Sequence, residues 1–216
     1  MNVDREHSAL LLIDIQVDFL PGGALAVNEG DMILEPLYML MESDHFRYFI
    51  ATQDWHPKNH VSFASNHPGY KPMDKIELYG HAQTLWPDHC VQGKSGARLY
   101  EDLPLNKLRA IVRKGMDPRV DSYSGFRNNW DADGQRSPTG LSGFLKELQL
   151  DTVFVVGLAR DVCVRYSAVD AAATGFDTYV IWDLTRPVDP QSDNDVRTEL
   201  MSHGVKIIES RQLIGI

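Results

Sequence analysis

Short apolar runs alternate with stretches of helical spacing along most of this chain, and that rhythm leaves few folds open to it. The runs are ALLLID (9–14), YFIATQD (48–54), AIVRKG (110–115), TVFVVG (152–157), TYVIWD (178–183) and VKIIE (205–209). Helical patterns cover about 31–43, 139–149, 163–174 and 190–203, several opening after Asp, Ser or Thr and closing before Gly. Runs that are apolar throughout belong to strands buried on both faces, and strands joined through helices run parallel. The sequence therefore predicts an α/β fold, a parallel sheet between two helical layers. With 216 residues the chain fits one domain, 1–216.

One segment breaks the rhythm. Residues 55–109 are rich in His and Pro and lack periodicity, yet they hold Trp55, Phe63 and Trp86 rather than a disorder-prone composition. A loop of that length in a compact domain is expected to carry function. Composition narrows the function. The net charge is −9, with Lys and Arg scattered among acids, so no basic stripe is available for nucleic acid or anionic lipid. No apolar stretch approaches the roughly 18 residues of a membrane span. The opening MNVDREHSALLLIDIQ carries acids ahead of a short apolar run, unlike a secretory signal, which points to the cytoplasm. Two cysteines in unrelated contexts, Cys90 and Cys163, exclude a disulfide framework. Nucleic acid and membrane are not expected partners.

Open α/β sheets bind ligands at the carboxyl ends of their strands. Asp14 ends the first run, Asp54 the second and Lys114 the third, while Cys163 follows the fourth at the start of its helix. Two readings of Cys163 fit the spacing: a small buried hydrophobe, or a nucleophile whose thiolate is stabilised by a helix N-terminus that lowers its pKa. A carboxylate after LLLI is costly unless paired, and Lys114 is its partner or merely an edge charge. Together the three residues can form a Cys–Asp–Lys constellation. In DWHPKNH, Asp54 and His56 alternate on an extended segment and share one face, and His89 can return from the long loop as a third metal ligand. Two histidines and a carboxylate suit Zn, Fe or Mn; the competing reading is loop histidines bonded to backbone. His60 follows Pro57, which argues against a helix bearing both histidines, so it reads as a supporting residue. Cys90 reads as packing, its side chain directed away from that of His89.

Five blocks in order, LLIDIQVDFLPGGALAV, ATQDWHPKNHVSFASNHPG, LWPDHCVQGKSGA, VRKGMDPRVDSYSGF and VVGLARDVCV, resemble the nicotinamidase (pyrazinamidase) branch of the isochorismatase-like hydrolases. The likeness runs from about residue 8 to 185. It implies a three-layer α/β/α fold with a six-stranded, mainly parallel sheet. It implies hydrolysis of nicotinamide to nicotinate and ammonia through a cysteine thioester, in NAD salvage, with pyrazinamide as a related substrate. Matched residue by residue, the resemblance makes Asp14 the general base, Lys114 the charge-stabilising partner and Cys163 the nucleophile. It makes Asp54, His56 and His89 the ligands of one divalent metal ion, zinc first, with iron or manganese as alternatives. It further implies a cis peptide between Leu158 and Ala159, with the N–H groups of Ala159 and Cys163 turned to the substrate oxygen.

Phe19 and Trp86, close to these blocks, are candidates to sandwich a flat pyridine ring, or ordinary core. Two departures from the family pattern, Arg160 where a smaller residue is usual and DLTRPV in place of DACRGV, point to altered contacts at the pocket rim. A vinyl-ether hydrolase of the isochorismatase type, another small amidase and a non-catalytic binding protein are the competing functions. Cys163 argues against the first, and the complete catalytic and metal sets against the last.

Overall fold

A computed structural model describes residues 1–214. Its centre is β1 (Ser8–Ile13), followed by α1 (Leu34–Glu42), β2 (Tyr48–Asp54), a hairpin of β3 (Lys75–Leu78) and β4 (His81–Thr84), and β5 (Leu108–Lys114). The second half runs α2 (Leu141–Glu147), β6 (Thr152–Leu158), α3 (Arg165–Ala173), β7 (Asp177–Arg186), α4 (Asp193–Ser202), β8 (Lys206–Ile208) and α5 (Arg211–Ile214). Six strands form one sheet in the order β5-β2-β1-β6-β7-β8, every neighbouring pair parallel.

β1 shows why the runs are apolar throughout. Ala9, Leu11 and Ile13 pack towards α2, α3 and α4, while Leu10 and Leu12 pack towards α1 and α5. Both faces of the strand are dry, so neither set of alternating positions can be polar. The chain winds outwards from β1 to β5, then crosses back to β6 on the other side of β1. That reversal opens a crevice at the carboxyl ends of β1 and β6, the place where such sheets bind ligands.

The periodic stretches settle within a few residues of expectation. The 31–43 pattern divides into a 3-10 turn at Gly30–Ile33 and α1, which tolerates Pro36 because the first helical turn has no internal partner for that N–H. The 163–174 pattern is corrected: a π turn over Arg160–Val164 precedes α3, so Cys163 lies inside that turn rather than at an α-helix start. Residues 55–109 contain the β3–β4 hairpin and several 3-10 turns. Among the described residues, no helix is long and apolar enough to cross a membrane.

β1 and β6 approach too closely for a side chain at Gly157, whose φ is +116°. A Cβ there would lie 2.1 Å from the carbonyl oxygen of Ile13. Gly157→Ala should therefore destabilise the fold by more than about 1 kcal/mol, beyond the usual entropic effect of that change. Leu11→Ala, in the fully buried core, should cost about 2–5 kcal/mol. Urea unfolding of both variants checks these values.

Candidate active site and metal centre

Asp14 follows β1 directly, Asp54 and Lys114 close β2 and β5 opposite one another in register, and Cys163 sits in the turn after β6. Parallel strands carry all four to one edge. Lys114 Nζ joins them, lying 2.9 Å from Asp14 Oδ2 and 2.5 Å from Asp54 Oδ1. It also donates to Ser122 O at 2.9 Å and to Cys163 Sγ at 3.5 Å. Thr52, two residues before Asp54 on β2, locks Asp14: its hydroxyl accepts the Asp14 N–H at 3.1 Å and donates to Oδ1 at 2.6 Å. Asp14 Oδ2, although close to the ammonium, has no aligned hydrogen bond among the described residues.

Burial governs the charges. It would discharge Lys114, but Asp14 and Asp54 outweigh it and hold the ammonium charged far into the alkaline range. Burial also raises Asp14, with Lys114 opposing and Asp54 reinforcing. It pushes Asp54 up as well, yet Lys114 and His56 overcome it and keep that carboxylate ionised. For Cys163, burial dominates and lifts the thiol well above its ordinary value; Lys114 offsets part of this, and the two carboxylates add to it. This setting favours the neutral thiol over the stabilised thiolate that the spacing left open as one of two readings.

Asp54 turns its other oxygen to two histidines. Oδ2 lies 3.5 Å from His56 Nε2 and 3.9 Å from His89 Nε2. His56 Nδ1 is 2.9 Å from Gly115 O and His89 Nδ1 2.8 Å from Pro87 O, so each ring donates through Nδ1 and keeps an Nε2 lone pair free. Three buried acceptors then face one another within 4.8 Å, which suits a shared cation and no ordinary hydrogen bond. Burial and His56 lower His89 to about 4, which favours its neutral form, whereas at His56 burial is outweighed by the Asp54 carboxylate, which raises that ring. Gly115 permits the arrangement: its φ is +66°, and a Cβ would sit 2.3 Å from His56 Cε1. Gln16 fixes Asp54 by accepting its N–H at 2.7 Å and donating to its carbonyl at 2.9 Å.

His60 lies beside His56, the rings tilted with centres 4.3 Å apart, and His56, His60 and Asp121 form a second group of neighbouring donor atoms. The His60 nitrogens are already engaged. Nε2 lies 3.3 Å from Val120 O, and Nδ1 meets the Ser62 hydroxyl at 2.8 Å and N–H at 3.3 Å. Cys90 is buried in a separate apolar cluster with Phe19, Leu20 and Ala97.

A pocket opens above Cys163 and beside the Asp54–His56–His89 group. Phe19 and Trp86 both line it, as do Leu25, Val188 and Tyr123, which meets Trp86 edge-on at 6.3 Å. Ala159 borders the pocket next to Cys163, and the Leu158–Ala159 peptide is cis. Arg160 does not line this pocket, whereas Val188 of DLTRPV does. The Arg160 guanidinium turns towards β7 and α4, with Nε donating to Thr185 Oγ1 at 2.8 Å and Nη1 to Asp193 Oδ2 at 2.7 Å. It also lies 4.0 Å from the Trp182 ring centre. Thr185 belongs to DLTRPV, so Arg160 bonds directly to one residue of that segment.

Residues 8–212 match the family model described as the Isochorismatase domain. The nicotinamidase of Acinetobacter baylyi is 44% identical over 209 residues, covering 96% of this chain and 95% of that protein. A solved Acinetobacter baumanii nicotinamidase/pyrazinamidase superposes with a TM-score of 0.91 at 43% identity, covering 97% and 99% of the two chains. The pyrazinamidase of Pyrococcus horikoshii, solved in complex with zinc, gives a TM-score of 0.74 at 32% identity, covering 94% and 99%. With the sheet order and the pocket in hand, these matches settle the relationship: the chain belongs to the isochorismatase domain family, among its nicotinamidase relatives.

Proposed function

We infer that this protein is an amide hydrolase that converts nicotinamide to nicotinate and ammonia, with Cys163 as nucleophile and Asp14 as proton carrier. The observation that carries this reading is the meeting of Cys163, Asp14 and Lys114 beneath a pocket flanked by aromatic rings. Amides resist attack and their amines leave poorly, so the enzyme needs a strong nucleophile, charge stabilisation and a proton for nitrogen.

We assign the resting state as a neutral Cys163 thiol beside an Asp14 carboxylate. As sulfur attacks the carbonyl carbon, Asp14 takes the thiol proton on Oδ2, the oxygen with no aligned donor. Lys114 steadies the negative charge shared by sulfur and carboxylate. The N–H groups of Ala159 and Cys163 are proposed to hold the oxyanion, a contribution typically worth about 2.7–4 kcal/mol per donor. Asp14 then gives its proton to the departing nitrogen, leaving a thioester, and activates the water that cleaves it. Nicotinate is released and the thiol regains its proton. Phe19 and Trp86 are proposed to confine the ring.

Asp54, His56 and His89 are the proposed holders of one divalent ion, zinc first with iron or manganese suiting the same donors, which when bound would supply a Lewis-acid grip on a ring nitrogen. Ammonia release from nicotinamide tests the activity, and benzamide, which lacks the ring nitrogen, tests the grip. Nicotinamide should be much the better substrate with metal present, and stripping the ion should narrow the gap by harming nicotinamide selectively. Equal turnover of both amides by the metal-loaded enzyme would exclude ring-nitrogen capture, and no ammonia from nicotinamide would overturn the activity.

The pH dependence follows from the raised thiol. Only the deprotonated sulfur is alkylated, so without substrate the reaction of Cys163 with iodoacetamide should rise at higher pH than for an ordinary cysteine. Lys114→Met removes the ammonium that favours the thiolate and should shift the profile to still higher pH. An unchanged profile in the folded variant would remove Lys114 from that role.

A further inference from the structure

We propose that Asp18 is a positioning residue that fixes the His89 side of the metal centre and the Phe19–Leu25 wall of the pocket together. This rests on the ligand set proposed above. Asp18 Oδ2 accepts the N–H of Cys90, the residue directly after His89, at 2.7 Å. Oδ1 accepts the N–H of Ala24 at 3.2 Å, and the Asp18 carbonyl accepts the N–H of Leu25 at 3.0 Å. Leu25 and Phe19 both line the pocket, and the Phe19 ring centre is 5.6 Å from that of His89. One residue therefore ties a pocket wall to the turn that presents a ligand.

The local chemistry requires a carboxylate rather than any polar side chain. Cys90 has a φ of +46°, a left-handed conformation unfavourable for a residue with a Cβ. A charge-assisted bond to its N–H offsets that cost. Among the described residues no Lys, Arg or His side chain forms an ion pair with Asp18, so its charge is directed at backbone donors. Each of its oxygens accepts one N–H, whereas an Asn has a single acceptor oxygen and would turn its NH2 towards the other donor. The carboxylate is also held tightly from behind, since a Cβ on Gly96 would lie 2.1 Å from Oδ2. The His89 ring is anchored at Nδ1 by Pro87 O, so its aim depends on the 87–90 turn whose far end Asp18 holds.

The test uses Asp18→Asn, which loses one acceptor, and Gly96→Ala, which keeps the carboxylate but displaces it. Zinc affinity is measured by competition with a chromophoric chelator, kcat and KM with nicotinamide at saturating zinc, and melting on the metal-free protein. Both variants should bind zinc about 10–100-fold more weakly, the usual effect of losing an outer partner of a metal site. Both should raise KM more than they lower kcat, with the metal-free melting temperature near wild type. Wild-type zinc affinity and KM in both variants would overturn the proposal, and so would a loss confined to melting temperature, which marks an ordinary loop anchor. His89→Ala separates this inference from the reading beneath it. If that variant binds zinc as tightly as wild type, the ligand set is wrong and the role of Asp18 falls with it; if it loses zinc while the other two variants do not, only the role of Asp18 falls.

Discussion

Lys114 Nζ reaches Asp14, Asp54 and Cys163 from a side chain with no exposed surface, so its charge is balanced only by what the strand ends bring to it. An ammonium withdrawn from water gives up several kcal/mol of solvation and regains it only through close, complete pairing. Here Asp14 comes from β1, Asp54 from β2 and Lys114 from β5, three adjacent parallel strands. Sheet register therefore sets the distances within the ion cluster. Removing one member strands the others, a change that typically costs about 3–5 kcal/mol in a buried pair. Asp54 shows the economy of the design: one oxygen holds the lysine and the other faces His56 and His89, so the proposed metal centre and nucleophile share a single carboxylate.

Parallel strands explain why so much was legible in the sequence. Their carboxyl ends fall on one edge, so the residues that close or follow four apolar runs could be grouped without any knowledge of their pairing. Resemblance to the family then gave that group its order and roles. Thr52 carried a usable signal, standing two residues before Asp54 and so on the same face of β2. Gln16 and Arg160 were not legible in the same way. Gln16 bonds the backbone of Asp54, 38 positions away, and Arg160 bonds Thr185 and Asp193, 25 and 33 positions away. Nothing in a local pattern records such partners. The π turn escaped for a related reason, because one wider turn barely changes the apolar spacing that leads into α3.

The site also reverses a common expectation for reactive cysteines. Cys163 is buried beside two carboxylates and one ammonium, a setting that favours the neutral thiol. In the proposed mechanism such a sulfur becomes nucleophilic only as Asp14 accepts its proton, which couples attack on the carbonyl to the proton later needed by the amine. A thiol held in reserve is also protected from adventitious alkylation and oxidation, which proceed through the thiolate.

Rapid acid quenching during nicotinamide turnover, followed by mass spectrometry of the peptide bearing Cys163, tests the covalent route most directly. The account predicts a nicotinoyl group on Cys163 that appears within the first turnover, decays as substrate is exhausted, and is absent in a folded Cys163→Ala variant with less than about a hundredth of wild-type activity. Turnover without an acylated Cys163, with the acyl group on Cys90 instead, or with activity retained in Cys163→Ala would contradict it.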